Sequence, residues 1–178
     1  MRTIGWKIVP VVLFLLLSVF LWRGLSLDPH RLPSVQLGKT LPVFTLPQLQ
    51  EPNSTFSSTQ LRNQVALLNV WASWCAACVD EQVFMMQLAR EGVPIYGLNY
   101  KDKPEDALRW LVQWGNPYKL IVQDREGKAA IDLGVYGAPE TFVIDKKGII
   151  RYRHVGIMNQ EAWSKDISPL IKKLEQES

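Results

Sequence analysis

The feature that most constrains this chain is the junction around residue 72. Val65–Trp71 is an apolar run interrupted only by Asn69, with β-branched residues near both ends. Such a run predicts a strand buried on both faces. It is followed at once by Ala72-Ser73-Trp74-Cys75-Ala76-Ala77-Cys78, and Ala76 to Arg90 then holds no Gly or Pro, with Val79, Val83 and Met86 at helical spacing. The pattern is a strand, a short loop and a helix, with Cys75 at the helix N-terminus.

That placement gives the cysteine pair its chemistry. The leading N–H groups of a helix lack internal partners, and the dipole adds about half a positive charge there. A thiolate at Cys75 is stabilised by both, so its pKa falls below the free value of about 8.5. Cys78 lies less than one turn along the helix, close enough to attack a mixed disulfide held on Cys75. The spacing assigns Cys75 as nucleophile and Cys78 as resolving thiol.

The chain has only these two cysteines and two histidines. A structural disulfide framework is excluded, because residues three apart close no large loop. A zinc knuckle needs two further ligands, and His30 and His154 have no matching spacing. A c-type haem site needs His directly after Cys78, where Val79 stands. No metal and no cofactor is expected. An inert buried cysteine pair is the bland alternative.

Charge matters here through its position. Of the 178 residues, 20 are Lys or Arg and 17 are Asp or Glu, a formal balance of +3. Arg2, Lys7 and Arg23 account for the whole surplus, so the rest of the chain is neutral and no electrostatic footprint for nucleic acid exists. Ile8 to Trp22 is uncharged and rich in Leu, Val and Phe. A spanning helix needs about 20 apolar residues, and Gly24–Leu27 extends the run if Arg23 snorkels to the interface. One reading is a cleaved signal peptide with Gly24-Leu25-Ser26 as its site. The favoured one is a retained signal anchor over residues 1–27, because Arg23, Leu25 and Leu27 suit cleavage badly. Either way the domain is exported. The retained anchor is a single pass, with the amino terminus inside. A Pro-containing linker over 28–40 then leads to one soluble domain over 41–178.

Within that domain, Val93–Tyr100 and Lys119–Gln123 read as further strands. Pro104–Trp114 reads as a helix with Leu108, Leu111 and Val112 as its inner stripe, ended by Gly115-Asn116-Pro117. Ala129–Leu133 is a helical turn at best. Thr141–Ile144 and Ile149–Val155 flank the turn Asp145–Gly148 as a β-hairpin. Asn159 caps a last helix with Trp163, Ile167, Leu170, Ile171 and Leu174 on one face, and Pro169 predicts a kink in it. The fold class expected from this order is α/β, a central mixed β-sheet flanked by helices.

The stretch Trp71–Cys78 resembles the thioredoxin superfamily. Together with Asn99-Tyr100-Lys101-Asp102, Gly134-Val135-Tyr136-Gly137-Ala138-Pro139-Glu140-Thr141-Phe142 and Ile150-Arg151-Tyr152-Arg153-His154, it is similar to the DsbE/CcmG family over roughly residues 5–175. The resemblance implies a thioredoxin-like fold and a periplasmic reductase tethered to the bacterial inner membrane. Such a protein serves cytochrome c maturation. Its clients are the haem-attachment cysteines of apocytochrome c or an intermediary thiol protein, and its electrons come from the transmembrane donor DsbD. A membrane electron donor also follows from logic, since an exported reductant faces an oxidising compartment. The resemblance further implies a redox disulfide Cys75–Cys78 and a cis peptide between Ala138 and Pro139, in a loop beside the nucleophilic sulfur.

Two acids take their interest from the resemblance, which has acidic residues near the active site at both positions. Glu81 shares a helix face with the cysteines, and Glu140 follows Pro139. Thioredoxins keep a buried acid six residues before the first cysteine; here that residue is Asn69, which cannot titrate. Glu81 is expected to replace it as proton acceptor for Cys78. Trp74 serves either packing or partner docking, and Trp71 belongs to the core. One departure stands out: the family usually has Pro after the first cysteine, where this chain has Ala76-Ala77. The rivals are a general reductase of the TlpA/ResA kind, an oxidant of the DsbA kind, and a non-catalytic holder of apocytochrome.

Overall fold

The computed structural model describes residues 3–25 and 36–177. The chain divides into two compact units, Met1–Leu32 and Pro33–Ser178. Most of the expected linker, and Ser26 of the weak cleavage site, lie outside the described residues.

The first unit is the helix α1 (Thr3–Leu25), with Pro10 inside it. Its described side chains, 8–23, are apolar on all sides apart from Ser18 and Arg23, and Ser18 Oγ donates to the Phe14 carbonyl at 2.8 Å. Among the described residues no helix is long and apolar enough to cross a membrane.

The second unit is built on a five-stranded mixed sheet. In chain order it contains β1 (Thr45–Pro47), β2 (Thr55–Ser57), β3 (Ala66–Trp71), α2 (Ala76–Arg90), β4 (Ile95–Tyr100), α3 (Pro104–Trp114), β5 (Leu120–Asp124), α4 (Lys128–Asp132), β6 (Glu140–Ile144) and β7 (Ile150–Val155). A last helical stretch comprises α5 (Gln160–Ala162), a π-helical segment (Trp163–Ile167) and α6 (Ser168–Gln176). The sheet order is β5-β4-β3-β6-β7, with β3, β4 and β5 parallel and β6 and β7 antiparallel to their neighbours. The expected mixed sheet with helices on both faces is present. A short β1–β2 hairpin, too brief to show a period in sequence, packs beside β5 through a Gln48–Val122 bridge.

The alternation of β3 explains how its two faces are covered. Leu67 and Trp71 face the core built with α2, α3 and the last helix. Ala66, Leu68 and Val70 face a second core with Phe44, Phe56, Leu61 and α4. Asn69 is wholly buried on the first face, so the sheet carries a polar group directly under α2.

Two helices turn differently from the expected stripes. In α3 the buried residues are Ala107, Trp110 and Leu111, while Leu108 is exposed and Val112 is 89% exposed. The large Trp110 ring sets the rotation by packing on Trp71, centroids 4.8 Å apart. In α2 the buried face is Cys78, Glu81, Gln82, Met85 and Leu88, and Val83 is 78% exposed. The polar pair is accommodated by hydrogen bonds: Gln82 Nε2 donates to the Gly115 carbonyl at 2.7 Å, and Glu81 accepts from Asn69 Nδ2 and Met158 N–H. Near Pro169 the chain switches to π-helical bonding, with Ser168 N–H donating to Trp163 C=O. Proline lacks an N–H and clashes with the carbonyl four residues back, and a π turn absorbs the mismatch. Asn159 caps this helix as expected, its side chain accepting from Ala162 N–H.

Candidate active site

β3 ends at Trp71, and four residues later Cys75 is the N-cap of α2, with extended φ −88° and ψ 104°. Its Sγ accepts the Cys78 backbone N–H at 3.1 Å, so the sulfur itself caps the helix. Cys75 and Cys78 are joined as a disulfide. Cys75 is 5% exposed and Cys78 1%, which leaves Cys75 the more accessible residue of the two.

The loop ahead of Cys75 is fastened by a residue the sequence reasoning did not single out. Asp102 accepts from Ser73 N–H at 2.6 Å, Ser73 Oγ at 2.7 Å, Asn99 Nδ2 at 3.0 Å and Lys103 N–H at 2.8 Å. The Trp74 indole N–H donates to the Lys101 carbonyl at 3.0 Å, although the ring is largely exposed and tilts against Tyr100. The Asn99–Asp102 stretch is therefore a clamp on the active-site loop. Trp71 is buried, as expected of a core residue.

Behind the cysteines lies a buried polar cluster. Glu81, one turn beyond Cys78, is 1% exposed. Its Oε1 accepts from Asn69 Nδ2 at 3.0 Å and its Oε2 from Met158 N–H at 2.8 Å. Asn69 Nδ2 also donates to Thr141 Oγ1 at 3.0 Å, and Tyr118 Oη donates to Asn69 Oδ1 at 2.7 Å. Burial pushes the Glu81 carboxyl up to about 7, against the opposing pull of the Met158 and Asn69 donors. Burial, and then the Glu81 charge, push the Tyr118 hydroxyl well above its ordinary range.

The β3–β6 register pairs Val70 with Glu140, which brings Ala138 and Pro139 to the same end of the sheet as Cys75. The Ala138–Pro139 peptide is cis, and Ala138 packs against the core that contains both cysteines. Glu140 is placed otherwise. It shares a strand face with Phe142, on the side of the sheet away from Glu81 and α2, and it pairs with Arg153 at 2.7 Å. Burial raises its carboxyl above the ordinary range, opposed by Arg153 and the N–H groups of Tyr136 and Gly137. Arg153 also donates to the Gly134 carbonyl at 3.0 Å and lies under the Tyr136 ring at 4.9 Å. Glu140 and Arg153 thus fasten both ends of the 134–140 loop. The structure brings Cys75, Cys78, Glu81 and Asn69 together, and sets Glu140 apart from them.

The comparisons with known proteins agree with this geometry. The Redoxin family matches residues 36–171. The thiol:disulfide interchange protein DsbE of Pseudomonas aeruginosa is 46% identical over 167 residues, covering 94% of this chain and 93% of that protein. DsbE of Vibrio cholerae is 46% identical over 171 residues, 93% of each chain. Among solved structures, a Chlorobium tepidum protein described as DsbE is 26% identical with a TM-score of 0.65, covering 77% of this chain and 97% of its own. A secreted thiol-disulfide isomerase of Corynebacterium glutamicum, at 24% identity and a TM-score of 0.64 over 74% of this chain and 85% of its own, shares the fold. A cysteine pair at the head of a helix, a cis-proline loop at the same sheet end and 46% identity over nearly the full chain converge: the chain belongs to the Redoxin family and, within it, to the DsbE thiol:disulfide interchange proteins, a group of thiol–disulfide oxidoreductases.

Proposed function

We propose that this oxidoreductase works as a reductase in cytochrome c maturation. The observation that carries the reading is the seat of the dithiol: Cys75 caps α2, and a buried carboxyl sits one turn beyond Cys78. In the reduced protein the Cys75 thiolate, stabilised by the helix N-terminus, attacks a client disulfide. One S–S bond breaks, a mixed disulfide forms, and a client thiolate leaves. Cys78 gives its proton to the Glu81 carboxylate, and the resulting thiolate attacks Cys75 Sγ. The second client thiolate departs, and two electrons have passed to the client. The Cys75–Cys78 disulfide that remains is the oxidised end of the cycle. Ala138, in the cis-proline loop, would bind the extended client beside Cys75, and exposed Trp74 would add docking surface.

The near-full-length likeness to DsbE proteins supports the pathway: apocytochrome c haem-attachment cysteines, or an intermediary thiol protein, as client, and DsbD as donor. The uncharged run Ile8–Trp22, with Arg2 and Lys7 before it and a charge-balanced domain after it, supports retention as a single-pass anchor. The domain over 41–178 would then stand in the periplasm of a bacterial inner membrane. The direct test is the reduction potential of the pair, measured against glutathione. A value at or below about −200 mV is expected of the reductase, and one near about −120 mV belongs to an oxidant and would sink the reading.

A further inference from the structure

Tyr118 takes no part in the exchange steps and lies at the foot of β5, yet its hydroxyl is wired to the acceptor. Asn69 has no solvent to satisfy it, so its orientation is decided by its three partners. Thr141 Oγ1 accepts from the amide nitrogen at 3.0 Å, and its hydroxyl, like the Tyr118 phenol, can also donate. Ionised Glu81 only accepts, and requires the amide nitrogen. Protonated Glu81 can donate, and makes no such demand. Tyr118 O–H donates to Asn69 Oδ1, and that bond favours the observed orientation whichever form Glu81 takes. With Asn69 Oδ1 facing it, its O–H has an acceptor at 2.7 Å and both amide N–H bonds are made, to Glu81 and Thr141. Turning the amide end for end strands the Tyr118 O–H and one amide N–H in the interior, each at a cost of about 1–3 kcal/mol.

The tyrosine is itself well fixed. Its ring stacks on Trp71 at 5.5 Å and 16°, and its backbone N–H donates to Asn116 Oδ1 at 3.0 Å. The groups the structure sets against Glu81 are the neutral Asn69 Nδ2 from β3 and Met158 N–H from the stretch before α5, with Tyr118, just ahead of β5, within electrostatic reach; Cys78 is buried three residues back on the same helix. Tyr118 keeps its proton throughout, and Asn69 has none to give.

We propose that Tyr118 is a positioning residue that holds the Asn69 amide nitrogen toward Glu81 and so sets the pH at which Glu81 can accept the Cys78 proton. The proposal rests on the reading of Glu81 as that acceptor. Tyr118→Phe keeps the ring and removes the hydroxyl. The expected result is that Glu81 binds its proton about two- to tenfold more tightly, the range for losing one hydrogen bond. Two readouts should move together to higher pH: the ¹³C NMR titration of the Glu81 carboxyl, and the pH step in the rate at which the dithiol reduces a short disulfide-bonded peptide. If Tyr118→Phe does not fold, 3-fluorotyrosine at 118 keeps the contact with a more acidic donor, and both readouts should then move to lower pH. Unmoved readouts in a folded variant overturn the proposal. Glu81→Gln separates the two ideas. If it erases the rate step while the Tyr118 variant leaves that step in place, the positioning role alone fails; if the step survives Glu81→Gln, the acceptor reading fails first.

Discussion

Glu81→Gln in the oxidised protein isolates the energetic cost of a buried carboxylate. With the disulfide formed, neither cysteine titrates. The Glu81 carboxyl has an ordinary value of 4.5 and is raised to about 7 by burial. A raised carboxyl means that folding favours the protonated form. This contribution is fully present below about pH 4.5 and is lost as pH rises through about 7. Each pH unit between those values is worth about 1.4 kcal/mol, so ionisation removes about 3 kcal/mol of stability. Glutamine keeps the volume but cannot ionise. It also sets one amide N–H against the donors from Asn69 and Met158, a penalty of about 1–3 kcal/mol that does not vary with pH. Urea unfolding of both proteins from pH 4.5 to 8.5 gives the difference directly, since all other titrations cancel. The stability advantage of the wild type should shrink by about 3 kcal/mol across that window, with most of the change between pH 5 and 7.5. A difference constant to within about 0.5 kcal/mol would refute the argument that Glu81 is buried and titrates near neutrality.

Other outcomes follow from named contacts. Arg153→Met leaves the Glu140 carboxylate buried without its partner and should cost about 3–5 kcal/mol in urea unfolding, with much of the loss recovered when Glu140→Gln is added. Asp102→Ala strands the N–H groups of Ser73 and Lys103 and should loosen the loop before Cys75; peptide-disulfide reduction should slow more than can be explained by the fraction unfolded at the assay temperature. Gly97→Ala puts a Cβ at 2.9 Å from Trp71 Nε1 and 3.1 Å from the Tyr118 ring, and thermal unfolding should report a loss of about 1–3 kcal/mol.

The parts legible in the sequence were those written in local patterns. The apolar run into Cys75, the unbroken helix to Arg90, and the Asp145–Gly148 turn specify their elements without help from the rest of the chain. The faces of those helices were less legible, because tertiary contacts decide them. In α3 the large Trp110 overrides Leu108 and Val112, and in α2 the demand that Cys78 face inward carries Glu81 and Gln82 with it and turns Val83 out. The β1–β2 hairpin has strands too short to show a period. At the site, Cys75, Cys78 and Glu81 were found from helix spacing and resemblance. Asp102 and Arg153 lay in stretches noted for their likeness to the family, yet nothing local says that a carboxylate at 102 reaches back to Ser73. Tyr118 gave no signal, since its bond to Asn69 joins residues 49 positions apart. Glu140 shows the reverse: the resemblance puts an acid near the active site at that position, and strand alternation points its side chain to the other face of the sheet.

The central claim is that Cys75 receives the client and Cys78 resolves it. The most direct measurement is to express the full chain with Cys78→Ala in a cytochrome c-producing bacterium, trap thiols with acid, and identify by mass spectrometry what is disulfide-bonded to Cys75. The expected adducts are apocytochrome c through a haem-attachment cysteine, a maturation thiol protein, or DsbD. They should be absent when Cys75→Ser is added. Recovery only of proteins from an oxidative pathway, or no adduct on Cys75 from a folded protein, would contradict the account.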